Sequence, residues 1–325
     1  MAKKVFIAAT GQNCGKTTMS VSLMHLAKKK YGRVGFIKPV GPKLQKFGDL
    51  MVDKDAALMA TTYGLQEDIA LMSPLAMGKN FTRDYLDRRM SEVSLRACIQ
   101  EAFHKLEQKY DYLIIEGAGH GGGGAIFGLS NAAVARMLDA PVVLVTEGGI
   151  GSVIDAVHLN MAIFEREKAD VRLIMVNKLR ADKRETSLRY LEKAFAGTGI
   201  GVCTGFAYSP ILANPTLGHV ADLLKLPLCG DQNERSRLIH HIHLGAASSQ
   251  RVIDGLESST LLVLTSSRDE LIVTLSSLYH IPAYKEKIAG IVIAGYVPVS
   301  EISQQILDDS MIPYIRVHES TANVF

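Results

Sequence analysis

The stretch Ala8-Ala9-Thr10-Gly11-Gln12-Asn13-Cys14-Gly15-Lys16-Thr17-Thr18 follows a short apolar run, residues 5–9, and opens a helical pattern over 17–30. In that pattern Met19, Leu23, Leu26 and Ala27 recur at helical spacing, and Lys28-Lys29-Lys30 sits where a helix C-terminus favours cations. A strand, a glycine-bearing turn and a helix N-terminus in that order place backbone N–H groups and the positive end of the helix dipole against phosphates. Gly11, Asn13, Gly15, Lys16, Thr17 and Thr18 are the positions assigned to that contact, with Lys16 reaching the terminal phosphates and the Thr17 hydroxyl serving Mg²⁺. Thr10 stands where the usual G-x-x-x-x-G-K-[ST] pattern has its first glycine, and the glycine is displaced to position 11.

Outward from this stretch, β-branched runs at 34–37, 112–115, 142–146, 173–176 and 202–207 alternate with helical patterns such as 90–108 and 185–196. Alternation of that kind predicts an α/β fold, a doubly wound parallel sheet covered on both faces. Residues 117–128, with seven glycines, read as a loop. The run at 112–115 ends in Glu116, which puts a carboxylate at the C-terminal strand edge, where a metal-binding acid beside phosphates belongs. Residues 34–37 end in Lys38 on the same edge, and Asp55 follows in Asp53-Lys54-Asp55-Ala56-Ala57.

The chain has 325 residues, is 47% hydrophobic and 21% charged, and has no tryptophan. No apolar run approaches the ~18 residues of a membrane span. The basic start Met1-Ala2-Lys3-Lys4 is followed by only five apolar residues before the glycine turn, so it reads as a first core strand and not as a leader. Cys14, Cys98, Cys203 and Cys229 are widely spaced, which argues against a disulfide framework or a zinc site and for a reducing, cytoplasmic compartment. The net charge of +3 predicts neither a nucleic-acid nor a membrane partner. Residues 231–325 carry 7 Lys and Arg against 11 Asp and Glu, so the positive charge belongs to the front of the chain.

Together, G-K-T at 15–17, K-P-V at 38–40, D-A at 55–56, I-E-G-A-G at 115–119, A-P-V-V-L-V at 140–145 and V-N-K at 176–178 resemble the dethiobiotin synthetase family of P-loop proteins over most of residues 3–225. The resemblance implies an ATP site with Lys16 and Thr17 at the phosphates, and Mg²⁺ held by Thr17, Asp55 and Glu116. It also implies Lys38 in the substrate pocket as the catalytic lysine of an enzyme, Asn177 against adenine, and a homodimer. The ATP domain of cobyrinic acid a,c-diamide synthases is a relative of the same kind. Partition proteins and the nitrogenase iron protein have a second lysine where this chain has Gly11.

The turn-rich segment 228–234 and the change of charge sign there predict a domain boundary, giving domains 1–228 and 234–325. The tail reads as a smaller α/β domain, with strands at 261–265, 288–294 and 314–317 and helices at 269–279 and 299–308. It resembles a DRTGG domain through residues 234–246, 259–269 and 290–295, with Ile293-Ala294-Gly295 in place of Thr-Gly-Gly and Arg268-Asp269 in reversed order. A dethiobiotin-synthetase-like domain followed by a DRTGG domain is the N-terminal arrangement of long bacterial phosphate acetyltransferases, whose catalytic domain has no counterpart here. The resulting expectation is a nucleotide-responsive regulatory module that binds another protein through the tail; the alternative is an ATP-dependent ligase. A truncated tail with no helix after Val317 is also expected. Gly201-Val202-Cys203-Thr204-Gly205 matches a nucleophile elbow but occupies the sixth strand, and His240, His241 and His243 read as surface-strand residues.

Overall fold

In the computed structural model, which describes residues 2–209, 212 and 214–325, contacts divide the chain into two compact units, Met1–Tyr208 and Ser209–Phe325. The strands of the first unit are β1 (Lys3–Ala9), β2 (Val34–Ile37), β3 (Val40–Gly41), β4 (Leu44–Phe47), β5 (Leu50–Asp53), β6 (Leu75–Ala76), β7 (Tyr112–Glu116), β8 (Val142–Glu147), β9 (Val171–Asn177) and β10 (Gly201–Thr204). Six of them form one sheet in the order β10-β9-β8-β1-β7-β2, every neighbour parallel. This is the α/β P-loop NTPase architecture with a parallel sheet.

All six runs expected from the sequence are strands of this sheet, although β10 stops at Thr204 and not at 207. Each central strand is apolar along its length because both faces are covered. Val5, Phe6, Ile7, Ala8 and Ala9 are all buried, Phe6 and Ala8 in one core and Val5, Ile7 and Ala9 in the other. The first core packs the helices Glu92–Lys109, Asn131–Met137 and Ile150–Arg166 on the sheet, and the second packs Lys16–Lys28 and Lys54–Tyr63. In Lys16–Lys28 the buried stripe is Lys16, Met19, Ser20, Met24 and Ala27. Leu26, expected on the inner face, is exposed. The stretch 42–52 is largely an antiparallel hairpin, β4 against β5, turning through Gly48 at φ 58°.

The second unit is a parallel sheet of β11 (His241–Leu244), β12 (Thr260–Thr265), β13 (Ile288–Ala294) and β14 (Tyr314–Val317) in sequential order. One face carries the helices Ser249–Asp254, Asp269–Tyr279 and Glu301–Asp309. The other packs Leu217 and Ala221 of the helix Leu217–Leu224 against Leu261, Val263, Val292 and Ile315. The boundary expected at 228–234 is therefore displaced to 208/209. The physical reason is that the helix Leu217–Leu224 supplies core to the second sheet, and the supposed linker is bonded into it. Cys229 and Tyr314 exchange both backbone bonds, at 2.9 and 3.1 Å, and the Asp231 N–H donates to Met311 O at 3.0 Å. The expected absence of a helix after β14 is also corrected, since Thr321–Val324 forms one short turn of helix.

Among the described residues no helix is long and apolar enough to cross a membrane. The four cysteines are free.

Candidate functional site

The candidate site is assembled at the C-terminal edge of the six-stranded sheet, where parallel strands deliver their last residues side by side. β1 ends at Ala9 and leads into the 10–15 turn, which is bent by Asn13 at φ 62° and Gly15 at φ 91°. A side chain at Gly15 is excluded twice over, because its Cβ would also lie 2.2 Å from the Asn177 Nδ2. The helix Lys16–Lys28 follows directly, with no side chain capping its first turn, so its N-terminal N–H groups remain open to a ligand.

Lys16 is buried, and its ammonium donates to Gly119 O at 2.5 Å and Gly11 O at 3.4 Å. Burial first, and then the neighbouring Lys38, holds its pKa below the ordinary lysine range. An ammonium kept this way on backbone carbonyls is poised for an anion that satisfies it better.

Lys38 and Glu116 come from adjacent strands. β2 pairs with β7 so that Ile37 lies opposite Ile115, and the next residues are Lys38 and Glu116. The Lys38 Nζ donates to Glu116 Oε1 at 2.7 Å and to Asp55 Oδ2 at 2.8 Å. Burial alone would lower the Lys38 pKa, but Glu116, Asp55 and Asp53 reverse that and raise it. Glu116, fully buried, also accepts from Thr17 Oγ1 at 3.1 Å and from Ser20 Oγ at 2.6 Å.

Asp55 is presented by the first turn of the helix Lys54–Tyr63, whose N-cap Asp53 accepts from the Asp55 N–H at 2.9 Å. Burial pushes Asp53 up. Burial would do the same to Asp55, but the Lys38 charge and hydrogen bond, with Thr17, hold Asp55 below the usual carboxylate range.

The structure thus brings Lys16, Thr17, Lys38, Asp55 and Glu116 together. Thr18 faces solvent. Asn177, at the end of β9, uses its amide on backbone: Nδ2 donates to Cys14 O at 2.9 Å, and Oδ1 accepts from the Phe206 N–H at 2.9 Å. Among the described residues the second amide N–H of Asn177 has no partner.

Sequence reading missed Ser20 and two asparagines that hold the loops. Asn160 receives the Gly121 N–H at 3.0 Å and donates to Thr10 O at 3.2 Å, tying the phosphate-loop candidate to the glycine-rich segment. Asn131 makes a reciprocal pair with the Ala118 backbone at 2.9 and 2.8 Å. Ser20 was within reach of inspection, since it lies one turn after Lys16 on the same helix face.

The donors near Thr17 are two carboxylates and a hydroxyl, an all-oxygen set suited to a hard cation that keeps water and phosphate ligands. Among the described residues there is no cluster of three or more His, Cys, Asp or Glu arranged for a metal. A cation already sits between the carboxylates in the form of the Lys38 ammonium. Cys203 lies within β10 with its thiol pushed up by burial, the opposite of an activated nucleophile.

The family described as AAA domain (AAA_26) matches residues 3–216. The chain belongs to this family. Among curated relatives of this AAA-domain chain, the phosphate acetyltransferase of Pseudomonas putida is 25% identical over 282 residues, covering 83% of this chain and 39% of that protein. The cobyric acid synthase of Pelotomaculum thermopropionicum is 26% identical, over 62% of this chain and 43% of that protein. The ATP-dependent dethiobiotin synthetase BioD of Clostridium novyi is 23% identical, over 54% of this chain and 76% of that protein. The chain spans about two fifths of the length of the phosphate acetyltransferase and cobyric acid synthase relatives.

Proposed function

We propose that this protein binds ATP with Mg²⁺ through residues 11–18 and acts as a nucleotide-responsive regulatory module that engages another protein through its second unit. In this reading Gly11, Asn13, Gly15, Lys16 and Thr18 surround the phosphates, Asn177 offers its remaining N–H to adenine, and Thr17, Asp55 and Glu116 hold Mg²⁺. The observation that carries it is the convergence of Lys16, Thr17, Asp55 and Glu116 beside an uncapped helix N-terminus. The bound ion would neutralise phosphate charge; the chain's own contribution is to orient the phosphates with Lys16 and the backbone N–H groups.

The regulatory part of the reading is supported by the extent of similarity. Phosphate acetyltransferase matches 83% of the chain, whereas BioD matches 54%. The second unit is proposed to be a DRTGG domain, and the protein a cytoplasmic homodimer. Light scattering on the purified protein tests the dimer, and Mg-ATP calorimetry tests the nucleotide site.

The position of Lys38 favours a second reading, an ATP-dependent ligase of the dethiobiotin synthetase or cobyrinic acid a,c-diamide synthase type. There Lys38 and the helix N-terminus would hold a carbamate or carboxylate while ATP activates it. Supplying diaminopelargonic acid, bicarbonate and Mg-ATP separates the two. The regulatory reading expects only basal ADP formation, and substrate-dependent ADP formation lost in Lys38→Ala overturns it.

A further inference from the structure

We propose that Lys38 is an internal counter-cation: its ammonium occupies the Asp55–Glu116 carboxylate pair, and it must give up that place for a divalent ion to enter. The inference rests on the reading of this cluster as a metal-nucleotide site, and it adds a regulatory device to that site.

The geometry makes a divalent ion compete with Lys38 for Asp55 Oδ2 and Glu116 Oε1. Lys38 Nζ stands 2.8 Å from Asp55 Oδ2 and 2.7 Å from Glu116 Oε1, with side-chain exposures of 4%, 15% and 0% for Lys38, Asp55 and Glu116. Two carboxylates in so dry a setting repel each other unless a cation lies between them. Thr17 donates to the same Glu116 Oε1, so that oxygen is already shared by the hydroxyl and the ammonium. A Mg²⁺ ion needs its oxygens at ~2.0–2.1 Å in near-octahedral geometry, and an ammonium on the same atoms competes with it for their lone pairs and opposes it by like charge. The second Glu116 oxygen is no substitute, because Ser20 Oγ holds it at 2.6 Å.

The consequence is selectivity for metal that arrives with a polyanion. A bare divalent ion would have to expel the Lys38 ammonium while offering it no new partner. Metal carried by a polyphosphate brings negative oxygens that receive the displaced ammonium, whose flexible four-carbon stem and three rotatable donors allow the exchange. Lys38 thereby offsets one of the two carboxylate charges and couples metal entry to nucleotide entry.

The test measures Mn²⁺ binding by electron paramagnetic resonance without nucleotide, in wild type, Lys38→Met and Lys38→Gln. Lys38→Gln keeps a hydrogen-bond donor for the carboxylates if the Met variant folds poorly. Removing the tethered competitor is expected to tighten Mn²⁺ binding at least about tenfold in the folded variants. It should also raise their melting temperature on Mn²⁺ addition by more than in wild type. Equal or weaker Mn²⁺ binding in a folded variant overturns the proposal. Binding of Mn-AMPPNP to the wild type is measured alongside. Its absence would refute the nucleotide reading, while tighter Mn²⁺ binding in the variants would still support exchange at the carboxylates.

Discussion

The Lys38 Nζ lies 2.7 Å from Glu116 Oε1, joining the first residues beyond two register-matched neighbours, Ile37 of β2 and Ile115 of β7. Strands ~4.8 Å apart with side chains alternating in phase put such residues on one side of the sheet, so the pair is a direct consequence of parallel register. β7 is hydrogen-bonded on its other side to β1, the strand that feeds the 10–15 turn, with Ile7 opposite Glu116. One carboxylate therefore touches Lys38 and the helix residues Thr17 and Ser20, on a residue whose backbone pairs with the strand leading into the loop.

Ser20→Ala should destabilise the protein. The hydroxyl is fully buried and is the partner of Glu116 Oε2 at 2.6 Å, so its removal leaves a buried anionic oxygen without that donor. A loss of ~1–3 kcal/mol is expected from urea denaturation. A change under a few tenths would mean that Glu116 is held without Ser20.

Acid should weaken the fold partly through Asp55. Its carboxyl is held below the usual range by Lys38 against the opposing effect of burial, so the stabilisation is present above the unfolded carboxylate pKa, ~3.9, and is lost as pH falls through the folded value. Asp53, which burial raises, contributes with the opposite sign, so the informative quantity is the difference between variants. Asp55→Asn should be ~1–3 kcal/mol less stable than wild type at pH 7, with the gap closing toward pH 3. A gap that stays constant with pH would remove the ion pair from the account.

Limited proteolysis of the native protein should spare residues 228–237. Cys229 and Asp231 are paired with Tyr314 and Met311, and Arg237 NH2 donates to Lys285 O and Glu286 O at 2.7 and 2.8 Å. Early cleavage inside that segment, identified by mass spectrometry, would contradict its place in the second unit.

That segment also marks the limit of what sequence reading reached. Parallel strands buried on both faces leave continuous apolar runs, which is why the runs at 5–9, 34–37 and 112–115 and the edge residues Lys38 and Glu116 were legible. The turn-rich Cys229-Gly230-Asp231 looked like a linker because its anchoring is backbone pairing with Tyr314 and Met311, which leaves no side-chain pattern. Helical spacing alone places Leu26 inward, yet the buried stripe follows Lys16, Ser20 and Met24, two of them polar because the stripe points at the site. Asn160 holds Thr10 across 150 positions of chain, a contact with no local signal. The hairpin β4–β5 keeps Leu50 and Met51 exposed, so no alternating buried face is written in its sequence.

Calorimetry of Mg-ATP with wild type and Lys16→Ala tests the nucleotide site most directly. Lys16 is the buried cation at the start of the helix Lys16–Lys28, held among the described residues by the carbonyls of Gly119 and Gly11, and a polyphosphate would be its better partner. Saturable Mg-ATP binding by the wild type, weakened at least about a hundredfold in a folded Lys16→Ala, is the predicted result, equivalent to the ~3 kcal/mol of a lost charge-assisted contact. No Mg-ATP binding by the wild type, or equal binding by the variant, would contradict it.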